Sequence, residues 1–481
     1  MGKHINLMPL LGHDNRGSVV DAGDVVLRCI IQDYLLEAAD IYNKYQQLSL
    51  YQYGVVETEF LKSEQVLKHK KHVISYPFEW TANMFKDAAL FHLSLLKGLD
   101  EHGLTLKDAL PSNILFDFSR PVFVDFFSIV FKDKLRNELW LLRPGFEGDI
   151  RCLVMQQMFM PFFLIPLLLM GRKDYVAARG MLLKRFCNSN QKPPSWRDLW
   201  PTLRGRRAFL FRDVIEALRL RKLMAVRNGQ DLKQMYRELI ALIGSVDVIP
   251  PQSGYSVYYE QKKEALAFED QSGWQDKQKN VCSIIRSLKP KRVLDIGANT
   301  GWFSILAESE GAEVVAADID ESAADLLYLK ARANKLRILP LKLSFSELER
   351  EIYGPVIDEE AYTGKLFLSQ PLFLPATTRL KSDLVLCLGL FHHLTLGEGR
   401  SIDSVVRVLS GLGGDLVLEF VDLEDDLIRH NPGFFRNLTK YTPATYNIEI
   451  VLEAGWKWFK SIVTFDSHPN TRKLLLLRKS I

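Results

Sequence analysis

Asp295-Ile-Gly297-Ala-Asn299-Thr-Gly301 joins an apolar run, RVLDI, to a helical pattern that starts at Trp302. Gly297 permits a tight turn there, and Gly301 lets the next helix begin close to a ligand. Exposed amides and the positive end of a helix dipole at such a turn favour an anionic group, such as a carboxylate. Asp318 follows Asp295 by twenty-three residues and ends a second apolar run. An acid in that place can accept both hydroxyls of a ribose. A pyrophosphate would be repelled by Asp295, whereas a cationic amino-acid group would not. A ligand combining ribose, amino acid and positive charge therefore fits better than a dinucleotide. Further along stand His392-His393 and Glu419. A histidine near neutral pKa suits removal of a proton from a nucleophile, and Glu419 is a candidate substrate ligand. Adjacent histidines need not converge on one ion, so no metal site is expected.

The elements that must position these residues alternate. Strands are expected at 292–297, 313–320, 337–343, 383–394 and 414–421, with helices at 302–311, 321–335 and 400–412 between them. Residues 461–467 and 471–479 form a closing hairpin. Continuous apolar strands alternating with helices mean a parallel sheet covered on both faces. Ligands of such sheets sit at the carboxyl ends of the strands.

The segment VLDIGANTGWFSILAESEGAEVVAADID resembles motifs I and II of class I S-adenosylmethionine-dependent methyltransferases. The resemblance implies a Rossmann-like sheet of seven strands, the last antiparallel, over 255–481, with S-adenosylmethionine as cofactor. It implies that Asp295 and Gly297 meet the methionine end and that Asn299 and Gly301 line the turn. Asp318 would hold the ribose, and Ile319 would pack on the adenine. Ser344 stands where the family often has an adenine-binding acid, so Ser344, a backbone group or Glu347 is left to hold that base. The end of the fourth strand, at Leu388, would flank the methyl donor. Gly389-Leu-Phe-His392-His393-Leu, Arg379 before Asp383, and Glu419-Phe-Val followed by Asp425-Asp426 resemble a bacterial subgroup described as nodulation-related. At the end of the fourth strand, His392 or His393 is a candidate base, the alternative being a residue that positions the substrate or packs a helix start.

The N-terminal half carries a second resemblance. Asp108, Asn113 and Asp125 are spaced as in the catalytic and metal-binding loops of protein-kinase-like folds. That would make Asp108 a base and Asn113 and Asp125 magnesium ligands. Leu106 and Lys107 replace the usual His-Arg pair, Phe127 replaces a glycine, and no clear glycine-rich loop or strand lysine precedes them. The region 20–170 is therefore expected to be an α+β kinase-like module, degenerate, with a substrate-binding or structural role.

Between Arg172 and Asn228 there are fifteen Lys and Arg against four Asp and Glu, concealed within a net charge of +4. This makes 171–250 a basic helical connector, ending at Ile249-Pro250-Pro251, and suggests an anionic partner. No nucleic-acid-binding motif is visible. Met158–Met170 is apolar but too short to span a bilayer. It reads as a buried helix or hairpin, with a peripheral membrane contact left open. The 481 residues are 47% hydrophobic and 25% charged, which excludes a disordered or polytopic membrane chain. Five cysteines without a CxxC pair, and no leader-like N-terminus, point to the cytoplasm. The expected function is methyl transfer to an O or N nucleophile of a small-molecule, glycan or lipid-linked acceptor. The alternatives are a nucleic-acid or protein methyltransferase docking through the connector, and a bifunctional kinase–methyltransferase.

Overall fold

The computed structural model describes residues 8–9, 16–138, 147–187, 219–257, 268, 271–350, 352–353 and 371–480. It divides into two compact units. The first comprises Met1–Phe78, Ala82–Ile249 and Tyr353–Leu372; the second, Glu79–Thr81, Pro250–Ile352 and Phe373–Ile481.

The first unit opens with strands β1 (Met8–Pro9), β2 (Gly17–Asp21) and β3 (Val25–Ile30), helix α1 (Leu35–Gln47), and strands β4 (Thr58–Leu61) and β5 (Val66–Lys70). These five strands form one antiparallel sheet in the order β1-β2-β3-β5-β4. Helix α2 (Ala82–Glu101) follows, burying Phe85, Ala89, His92, Leu93 and Leu96 along one face at helical spacing. Next come β6 (Leu104–Leu106), the hairpin β7 (Ile114–Asp117) and β8 (Arg120–Phe123), and β9 (Ile129–Phe131), which pairs with β6.

Helix α3 (Ile150–Gly171) contains the most apolar segment of the chain. Pro161 lies inside a widened helical stretch from Met155 to Leu164. A proline cannot donate to the helix ladder, so a local change of pitch is its ordinary consequence. In length and composition α3 could cross a membrane, but its apolar window is 83% buried inside the first unit. Phe159 and Phe163 enclose the buried ring of His92. Helices α4 (Tyr175–Cys187) and α5 (Gly229–Ser245) follow, α5 packing on α2. Most of the basic stretch, residues 188–218, lies outside the described residues.

The second unit starts with α6 (Asp276–Leu288) and strand β10 (Arg292–Ile296). Then follow α7 (Trp302–Ser309), β11 (Glu313–Asp318), α8 (Glu321–Asn334), β12 (Ile338–Lys342), β13 (Ser382–Cys387), α9 (Ile402–Gly411), β14 (Gly413–Val421), α10 (Ile448–Trp456), β15 (Ser461–Asp466) and β16 (Arg472–Arg478). Seven strands make one sheet in the order β12-β11-β10-β13-β14-β16-β15. The first five are parallel, and β16 runs antiparallel to both its neighbours. Val293, Leu294, Val314, Leu384, Leu386 and Val417 are buried, as a sheet covered on both faces requires. The fourth apolar run is not strand throughout, as 383–394 was expected to be. It leaves the sheet after Cys387, turns at Gly389 (φ +68°) and is helical from Phe391.

Candidate functional site

The turn after β10 is bracketed by left-handed glycines. Gly297 has φ +75° and Gly301 φ +84°, backbone that L side chains avoid. A Cβ on Gly301 would stand 2.3 Å from Leu327 of α8, and one on Gly297 would stand 3.2 Å from Leu390. The two glycines thus let α8 and the β13 exit close around the turn.

At the end of β11, Asp318 faces this turn. Its Oδ2 accepts the Asn299 amide at 2.7 Å, and its Oδ1 accepts the Asp320 amide at 2.8 Å. Both oxygens are thereby fixed, and a carboxylate with about four acceptor sites keeps capacity for further hydroxyls. Burial raises its pKa, against the lowering by these amides. Ile319, the next residue, is 61% exposed although apolar, a flat surface open to solvent. Asp320 caps α8 through the Ala323 amide.

Asp295 is buried in β10 and accepts the Ser304 hydroxyl at 2.6 Å. Burial pushes its pKa up to about 6, with the Asp318 charge adding to the rise and Lys277 opposing it. Asn299 donates its side-chain amide to the Tyr255 carbonyl, and its Oδ1 accepts the Thr300 amide.

The turn amides differ from expectation in one respect. Gly297 and Ala298 both donate to the Ala317 carbonyl, Asn299 donates to Asp318, Thr300 to Asn299, and Gly301 to Ala298. All five are spent inside the protein, so none of them is left to cradle a carboxylate.

Beyond β12, the Ser344 hydroxyl donates to Glu347 Oε2 at 2.6 Å, and the Ser344 amide donates to the same oxygen. The two residues left open for adenine are therefore one capping box. Leu388, directly after β13, is buried in the core cluster of this unit.

The histidines separate. His392 is 1% exposed, and neither ring nitrogen has a hydrogen-bond partner. Burial, then the charges of His393 and Arg472, hold its pKa well below the usual imidazole value. His393 is half-buried, its ring tilted by 39° at 4.3 Å from that of His392 and near the rings of Phe435 and Tyr255. Burial lowers its pKa as well.

Glu419 is fully buried in β14. Its Oε2 accepts Lys277 Nζ at 2.7 Å and its Oε1 accepts the Ser467 hydroxyl at 2.7 Å. A Cβ on Gly389 would come within 3.8 Å of that Oε2, so the carboxylate lies against the exit of β13. Asp425 is held by Arg472 and Thr471. Burial alone would raise its pKa, but these bonds bring it down to about 2.

In the first unit, Asp108, Asn113 and Asp125 converge, but on a serine. Ser128 Oγ lies 3.1 Å from Asp108 Oδ2 and 2.8 Å from Asp125 Oδ2, and the Asn113 side-chain amide donates to it at 3.5 Å. Arg28 of β3 reaches Asp125 at 3.4 Å and rests over the Phe127 ring. Among the described residues, no group of three or more His, Cys, Asp or Glu is arranged to hold a metal ion.

A curated relative aligns with most of the chain. Nodulation protein NoeA of Rhizobium meliloti (strain 1021) is 27% identical over 394 residues, 76% of this chain and 72% of the relative. The chain is similar to a nodulation protein. That meets the subgroup resemblance carried by the segments around His392, Arg379 and Glu419. No protein-family model matches. Among solved structures, the bifunctional kinase-methyltransferase WbdD aligns at 20% identity over 43% of this chain and 40% of its own, with a TM-score of 0.29. The T. thermophilus 16S rRNA N2 G1207 methyltransferase RsmC, solved with AdoMet and guanosine, aligns at 18% identity over 44% of each chain, with a TM-score of 0.25. An O-methyltransferase family protein from Burkholderia thailandensis aligns at 13% identity over 42% of this chain and 55% of its own, with a TM-score of 0.28. The chain spans less than half the length of the WbdD chain it matches.

Sequence reasoning missed Lys277, Ser467, Tyr255, Arg28 and Ser128. None carries a motif signal: Lys277, Ser467, Tyr255 and Arg28 acquire meaning only through partners 44 to 142 positions away, and Ser128 only through the fold of its own loop.

Proposed function

We propose that this chain is an S-adenosylmethionine-dependent methyltransferase whose second unit carries the reaction. The observation that carries this reading is Asp318, fixed by two amides beside the glycine turn and followed by the bare face of Ile319. Those features fit a ribose and an adenine. The sulfonium and ammonium of the cofactor suit the acids at Asp295 and Asp318, whereas a pyrophosphate does not. When bound, the sulfonium supplies a methyl group open to in-line displacement.

The remaining work falls to the chain's own residues. The acceptor must approach at the exit of β13, where Gly389 leaves room. His393 is the better base, because it is partly open and keeps a neutral imidazole at pH 7. His392 is sealed among rings, and its depressed pKa makes it a weak proton acceptor. Glu419 is oriented by Lys277 and Ser467, which suits positioning rather than proton transfer.

The acceptor class we favour is a small-molecule, glycan or lipid-linked hydroxyl or amine, anionic in view of the basic stretch at 172–228. The first unit, kinase-like in its order of elements, is read as a substrate-binding or structural module. Ser128 and Arg28 occupy the acids that phosphoryl transfer would need.

Isothermal titration of S-adenosylmethionine tests the reading. Asp318→Ala should weaken binding by about 1–3 kcal/mol, the loss of charge-assisted hydrogen bonds to a ligand. No binding heat with the wild-type chain overturns it. Once an acceptor is in hand, His393→Ala should lower turnover at least about tenfold, within the range for general base catalysis. His392→Ala should act mainly on stability, and equal losses of turnover in both would remove the distinction.

A further inference from the structure

We propose that Lys277 is the receptor for the carboxylate of the cofactor's amino-acid end. This rests on the methyltransferase reading and adds a residue to it that no motif marks. The glycine turn is the expected place for that carboxylate, yet its five amides from Gly297 to Gly301 are all engaged within the protein. Those five amides do not serve the carboxylate, and a cation beside the turn would. Around it stand three acids, Asp295, Asp318 and Glu419, and bringing a fourth negative charge among them requires a cation.

Lys277 meets that need. It lies on α6, with its side chain 15% exposed, so the ammonium is shielded but reachable. Its charge is felt at Asp295, where it opposes the rise in pKa. An ammonium has three N–H donors. One donates to Glu419 at 2.7 Å. The Phe303 ring face lies 5.2 Å from Nζ. No other acceptor among the described residues takes a hydrogen bond from Nζ, which leaves donors for an incoming carboxylate. Glu419 and Ser467 then act as positioning residues, because they hold the lysine so that it does not fold back on Asp295. The amino acid would be read at both ends, its ammonium by Asp295 and its carboxylate by Lys277.

The test uses the full chain and two ligands that differ only in that carboxylate, S-adenosylmethionine and its decarboxylated form. The wild type should prefer the first. Lys277→Gln should weaken S-adenosylmethionine at least about tenfold, the loss of one charge-assisted contact, and leave the decarboxylated ligand within about threefold. Retained binding of the decarboxylated ligand also shows that the variant is folded. Lys277→Arg, which keeps the charge, should preserve most of the preference. If Lys277→Gln weakens both ligands alike, Lys277 is structural and the proposal fails. It fails too if neither ligand is weakened. A wild-type chain that binds neither overturns the methyltransferase reading itself, and this inference with it.

Discussion

Asp295 shows how burial turns a motif residue into a pH-dependent one. Its carboxyl has a folded pKa of about 6, chiefly because burial disfavours the charged form. The sign follows from linkage. Between the ordinary carboxyl value and about 6, the folded chain holds a proton that the unfolded chain has released, so stability falls as pH rises through that window. Asp295→Asn removes the effect, and its melting temperature relative to wild type should climb from pH 4 to pH 7. A cationic ligand works the other way by favouring the ionised form. S-adenosylmethionine affinity should therefore be flat above about pH 7 and fall toward pH 5, with a proton released on binding near pH 5–6. A pH-independent affinity over that range contradicts a contact between Asp295 and the ligand's positive end. The sequence made Asp295, Gly297, Gly301 and Asp318 legible because their spacing alone demands a turn and an acid. It could not reveal Lys277, which is one lysine among many on an amphipathic helix. Only the fold carries it across to Glu419, 142 positions later.

At the scale of elements, legibility followed periodicity. The strands at 292–296, 313–318, 338–342 and 413–421 stand within a few residues of their apolar runs, since buried parallel strands are apolar throughout. The run at 383–394 misled for the same reason. Leu388, Leu390 and Phe391 are as apolar as the strand before them, but Gly389 at φ +68° breaks the extended chain. That break is what brings Leu390 over Gly297 and sends His392 and His393 onto a helical segment, one sealed and one half-buried. The turn after β10 illustrates the reverse case. Its conformation was readable from two glycines, but the destinations of its amides were not. Each amide found a nearer acceptor in Ala317, Asp318, Asn299 or Ala298. Helix α3 was readable as a buried element from its composition, though not the change of pitch around Pro161.

At the scale of the whole molecule, the charge of +4 conceals a concentration of basic residues from Arg172 to Asn228, while the candidate-site acids Asp295, Glu419 and Asp125 each sit beside a partner inside their own unit. The first unit shows what an acidic cluster becomes when the protein supplies its own counter-ion. Asp125 in a kinase-like loop would bind magnesium, but here the Arg28 guanidinium lies 3.4 Å away. Ser128 sits between Asp108 and Asp125 within hydrogen-bond distance of both. A divalent ion would have to displace the serine and share its acid with a buried cation, and the mutual repulsion opposes binding. Magnesium-ATP at millimolar concentration should therefore leave the melting temperature unchanged. The measurement is sensitive enough to decide, since a ligand present at about a hundred times its Kd adds about 2.7 kcal/mol. A rise of several degrees would show that Arg28 and Ser128 yield to the nucleotide, and would return the first unit to phosphoryl transfer. Arg28→Ala with Ser128→Gly supplies the control. If the internal cation and the serine are what exclude the metal, manganese ions should broaden the signals of the double variant and not those of the wild type.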